Sequence, residues 1–141
     1  MEHKTFLDDR KNGKMAPTPK TAKCIASNHE NKNRFLMPIS YKNLSLDKAR
    51  AILFEVLKTI PKMTVDRDEG QYLHAVAKTF IAEFLHDVEF FFDEEKKELH
   101  FRSASRFGWT DFGANKRRMQ AVVSRFLQLA EASDADAFAM D

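Results

Sequence analysis

The chain has 141 residues, 43% of them hydrophobic, with 23 basic and 21 acidic side chains and a net charge of +2. That length suits one domain, the apolar content excludes wholesale disorder, and the near-neutral balance excludes a uniform basic coat for nucleic acid. A single cysteine, Cys24, excludes an intramolecular disulfide.

The charge is unevenly spread. Residues 1–34 hold eight Lys/Arg against four Asp/Glu, and residues 131–141 hold four acids and no base. Residues 1–34 therefore read as a basic, extended tail, with Ala16-Pro17-Thr18-Pro19 favouring open backbone. The charged start, Met1 to Arg10, contains no apolar stretch of a secretory signal, and no apolar run approaches a membrane span. A cytoplasmic protein without a transmembrane segment is the resulting expectation.

Order is expected from about Phe35. Phe35 to Tyr41 reads as an edge strand, because Pro38 has no N–H for a central ladder. Ser45 is placed to cap a helix, with Asp47 in its first turn. Leu46, Ala49, Ile52, Leu53, Val56 and Ile60 follow helical spacing, and Pro61 ends the element. A short strand at Met63–Val65, a turn at Asp68-Glu69-Gly70 and a strand from Gln71 to Thr79 follow. The last puts Leu73, Ala75 and Ala77 on one face and Tyr72, His74, Val76 and Lys78 on the other. Phe80 to Leu85 reads either as a loop or as a bulged strand end.

Asp87–Asp93 and Glu98–Arg106 form a hairpin around the turn Glu94–Lys97. Pairing Asp93 with Glu98 sets 92 opposite 99, 90 opposite 101 and 88 opposite 103. Val88, Phe90, Phe92, Leu99 and Phe101 then share the core face, and Glu89 on the reverse face meets Arg102. A glycine-bearing loop, Phe107 to Gly113, leads to a second helix over about 115–130, and residues 131–141 read as an acidic tail.

This order predicts an α+β fold: an antiparallel sheet of four to five strands with both helices packed on one face, in one domain spanning 35–130. The other sheet face is expected to be open and lined by residues such as Arg102 and Glu89.

Residues 100–125 carry six bases and one acid, Asp111. Lys116, Arg117 and Arg118 fall in the first turn of the second helix, where cations oppose the helix dipole. Free N–H groups, glycines and bases at a helix start suit an anion. Capping by Asp111 and Asn115, with Arg102 and Arg106 paired to Glu89 and Asp87, is the alternative. Ser103 and Ser105 fall on the core side and lack the turn of a serine nucleophile. His3, His29, His74, His86 and His100 are scattered, and no zinc spacing, phosphate loop or dinucleotide fingerprint occurs, so no metal or cofactor is expected.

The run Arg102-Ser-Ala-Ser-Arg-Phe-Gly-Trp-Thr-Asp-Phe-Gly-Ala-Asn-Lys-Arg-Arg118 resembles the signature of the domain of unknown function 1499 family, as does Asp87-Val-Glu-Phe90. Arg102, Ser103, Ser105, Arg106, Gly108, Asp111, Gly113, Asn115 and Arg118 carry the match. Cys24-Ile-Ala-Ser27 is similar to the end of the family's N-terminal motif, and the resemblance covers about residues 19–130. The first cysteine and the asparagine of that motif are missing here. The family's activity is unassigned, so the resemblance points to a site rather than a reaction.

The leading expectation is a small non-enzymatic domain. Its ligand-binding set is Arg102, Ser105, Arg106, Gly108, Asp111, Gly113, Asn115 and Arg118, supported by Asp87, Glu89 and Ser103. Arg forks suit carboxylate or phosphate, so the ligand would be an anionic small molecule, an acidic peptide or a lipid headgroup. The alternatives are a hydrolase-like enzyme with Asp87 or Asp111 as general base, and an interaction module whose charged tails meet an acidic or other protein partner. Nucleic acid is not expected as a partner.

Overall fold

A computed structural model describes Met15 and residues 24–80, 83–106 and 113–139, with side chains to Ser133. The elements are β1 (Cys24–Ala26), β2 (Ile39–Ser40), α1 (Leu46–Lys58), β3 (Met63–Asp68), β4 (Tyr72–Lys78), β5 (Leu85–Asp93), β6 (Glu98–Ser105) and α2 (Ala114–Ala139). They make a six-stranded antiparallel sheet in the order β1-β6-β5-β4-β3. The short β2 pairs with the opposite end of the same β6 edge, Ile39 facing Leu99 while β1 faces residues 102–104. The α+β expectation holds, with one strand more than the four to five expected.

The extra strand lies where the sequence suggested a tail. Cys24, Ile25 and Ala26 are buried, because the free edge of β6 gives their backbone a ladder and Ile25 reaches the core. The strand expected over Phe35–Tyr41 shrinks to Ile39–Ser40, directly after Pro38. The helix expected to end near Ala130 continues to Ala139.

Local chemistry accounts for the element ends. Ser45 Oγ accepts the backbone N–H of Lys48 at 3.1 Å, as a helix cap should. Gly70 takes φ +85° in the β3–β4 turn, where Asp68 Oδ1 accepts its N–H. Arg50 of α1 reaches across to the same turn, bonding Asp68 at 2.7 Å and the Gly70 carbonyl. Asp93 accepts from Glu95 and Lys96 to start the β5–β6 turn.

The β5–β6 register is the expected one throughout: Val88 with Ser103, Glu89 with Arg102, Phe90 with Phe101, Phe92 with Leu99. Period-two alternation then sends Val88, Phe90, Phe92, Leu99 and Phe101 into one core with Leu73, Ala75 and Ala77 of β4. Ile52, Leu53 and Val56 of α1 and Met119, Val122 and Phe126 of α2 close that core from the same side. A fully buried Leu or Phe contributes about 1.5–3 kcal/mol here. β3 carries a bulge between Val65 and Arg67, which inserts Asp66 as an extra residue. Among the described residues no helix is long and apolar enough to cross a membrane.

Candidate functional site

Alternation along β6 divides the residues expected at one corner between two sides of the sheet. Arg102 and Arg106 project from the face away from the helices, while Ser103 and Ser105 project toward α2. A single corner holding Arg102, Arg106 and Arg118 is therefore corrected to two clusters. Gly108 and Asp111 lie outside the described residues.

On the outer face Arg102 Nε donates to Glu89 Oε1 at 2.6 Å, and neither side chain is exposed at all. Tyr72 OH donates to the other carboxylate oxygen, Oε2, at 2.5 Å. The expectation of an open face lined by these two residues is thus corrected as well. Opposite charges in register, with a phenol completing the carboxylate's hydrogen bonds, let the pair leave water. Cys24 sits beside Arg102 in the same layer. Burial pushes its thiol up, the guanidinium partly offsets this, and the result is about 11.

Next along the sheet lies a second polar chain. Arg106 clamps Asp87 with Nε to Oδ2 at 3.0 Å and Nη2 to Oδ1 at 2.9 Å. His74 Nε2 meets Asp87 Oδ1 at 2.8 Å, and His74 Nδ1 meets Asp66 Oδ2 at 3.2 Å. Both contacts are hydrogen bonds only when the ring carries two N–H groups. The β3 bulge is what aims Asp66 at this ring. Burial pushes the Asp87 carboxyl up, but hydrogen bonds from His74 and Arg106 and their charges outweigh it, leaving it at about 2.

On the helix side, Ser103, Ser105 and Asn115 are buried and form one network. Ser103 Oγ donates to Asn115 Oδ1 at 2.6 Å, and Asn115 Nδ2 donates to Ser105 Oγ at 3.1 Å. His86 Nε2 contacts Ser105 Oγ at 3.0 Å. Arg118 Nη1 donates to Asn115 Oδ1 at 2.9 Å and to Ser103 Oγ at 3.1 Å. Lys116 and Arg117 are exposed in the same helical turn. Gly113 precedes it at φ +79°, where a Cβ would come within 2.9 Å of the Arg117 guanidinium.

Tyr72, His74, Asp66 and His86 were not among the expected site residues. Pairing of β4 with β5 sets His74 beside Glu89 and Val76 beside Asp87. The irregular stretch after Thr79 hides that register in the sequence, and a bulge such as that at Asp66 has no sequence signal here. The alternation that put Tyr72 and His74 on one face was the available hint.

Taken together, the molecule is an α+β domain with two helices on one sheet face and arginine-centred polar clusters on both sides of its β5–β6 hairpin. Residues 14–126 match the family described as Protein of unknown function (DUF1499), and the chain belongs to it. Comparison with curated proteins and with solved structures gave no match.

Proposed function

We propose that this domain is a non-enzymatic binder of an anionic ligand, taken up at the start of α2 beside Ser105, Gly113, Asn115 and Arg118. The observation that carries the reading is the run Lys116-Arg117-Arg118 in the first turn of a helix. Cations there oppose the helix dipole by roughly 0.3–1 kcal/mol each, and a bound anion reverses the sign of that term. The Ser103–Asn115–Ser105 network supports the reading by fixing the Arg118 guanidinium on two oxygen acceptors. Arg102 and Arg106 take a different role, holding β5 to β6 through Glu89 and Asp87.

The hydrolase reading through Asp87 is less favoured. A carboxylate held at about 2 by Arg106 and His74 is a weak proton acceptor at neutral pH.

The test is a titration with inorganic phosphate and with small carboxylates, followed by Trp109 fluorescence and thermal melting. Binding raises the melting temperature, because the anion binds the folded state alone. Arg118→Met abolishes the rise. No response to any of these anions overturns the reading.

A further inference from the structure

The loop between β4 and β5 displays two aromatic side chains to solvent. Phe80 is 70% exposed and Phe84 56%. Isolated exposed apolar residues are ordinary, but two large ones on one loop are not explained by the core. The loop base is fixed. Thr79 N–H donates to the Phe84 carbonyl at 3.1 Å, and Thr79 Oγ1 accepts the Phe84 N–H at 2.9 Å. Glu83 holds φ +51°, a left-handed conformation unfavourable for a residue with a side chain. Glu83 thus keeps a left-handed backbone directly before Phe84, which stays exposed.

A cation lies beside Phe80. Lys62 Nζ lies 5.3 Å from the Phe80 ring centroid and 3.9 Å from Glu83. Lys78 is exposed on the last residue of β4. Lys62, Lys78 and the acid Glu83 line an open groove of about 440 Å³ together with Met63, Thr64 and Val76. Strand register puts further charge at this end of the sheet. Lys78 pairs with Leu85, His86 pairs with Ser105, and Ser105 bonds Asn115 of α2, so the exposed Lys116 and Arg117 belong to the same end.

We propose that this end of the sheet docks on an anionic lipid bilayer, Phe80 and Phe84 entering the interface while Lys62 and Lys78 meet the headgroups. Aromatic rings buried at the headgroup level and lysines that extend their stems to anionic phosphates are the chemistry such a surface rewards. A second copy of this chain fits less well. Burying the same loop against itself would bring Lys62 and Lys78 against their own equivalents. The inference goes beyond the anion-binding reading and does not rest on it.

The test is co-sedimentation of the full chain with vesicles of phosphatidylcholine alone and of equal parts phosphatidylcholine and phosphatidylglycerol. Binding is expected to the mixed vesicles, to weaken at high salt, and to be slight for phosphatidylcholine alone. Phe80→Ser with Phe84→Ser, and separately Lys62→Gln with Lys78→Gln, each weaken it by roughly tenfold or more. All four positions are solvent-facing or at the rim, so thermal melts should match the parent. As a readout that needs no loss of binding, Phe84→Trp in a Trp109→Phe chain shifts its indole emission to the blue on mixed vesicles. Absence of vesicle binding, serine variants that bind as the parent does, or an unshifted emission from the Phe84→Trp chain overturns the proposal. So does a dimer in sedimentation velocity that the serine substitutions dissociate, since the loop would then serve a second copy.

Discussion

Arg102 and Glu89 meet at 2.6 Å with no exposure of either side chain, and Tyr72 completes the arrangement. Removing one charge from such a pair leaves the other stranded in a medium that solvates it poorly. Glu89→Gln should therefore cost about 3–5 kcal/mol in urea unfolding. The triple replacement Arg102→Met, Glu89→Leu and Tyr72→Phe should recover most of that loss, because packed apolar groups substitute for a buried polar cluster at little net cost. Asp87 gives a pH signature. Its carboxyl is lowered from 3.8 to about 2, so its contribution is complete above the ordinary value and is lost as pH falls through that window. Unfolding free energies of the parent should decline over that range, and Asp87→Asn, less stable at neutral pH, should decline less. Cys24, raised to about 11 and 1% exposed, should resist iodoacetamide at neutral pH and react once urea unfolds the chain.

At the scale of elements, α2 is tied to the sheet through Asn115, whose amide bridges Ser103 and Ser105 of β6. Asn115→Ala removes one hydrogen-bond partner from each of Ser103, Ser105 and Arg118. A loss of about 2–3 kcal/mol is expected, with faster hydrogen exchange in the first turn of α2 than in α1. The β5–β6 hairpin was legible in the sequence because one face is mainly apolar and the other mainly charged or polar. Val88 and Phe90 alternate with Asp87 and Glu89, and a slip of one residue would exchange them. Helix α1 was legible from Ser45 and Pro61, which mark both its ends. β1 was not, since three residues carry no period, and Cys24 to Ala26 form a strand only because β6 offers an open edge. The grouping of three arginines misled for a related reason. A signature read along the chain does not show which residues the pleat turns to opposite sides, and Arg102 and Arg118 were separated in that way.

For the molecule as a whole, one apolar layer lies between the helices and the sheet, and polar clusters flank it on the sheet's outer face and at the start of α2. Phe90 sits centrally in that layer, fully buried and paired with Phe101 and Leu73. Phe90→Ala should cost about 3–5 kcal/mol and lower the denaturation midpoint without changing the steepness of the transition, as for one cooperative unit. The arrangement of the sheet's borders has a separate consequence. β1 and β2 occupy successive parts of the β6 edge, with Pro38 just before β2. The opposite border, β3, is interrupted by its bulge and ends in the charged run Asp66-Arg67-Asp68. Among the described residues neither border offers a long, flat, uncharged ribbon to a stray strand, which works against amyloid-like polymerisation from the folded sheet even though thirteen phenylalanines make the unfolded chain adhesive.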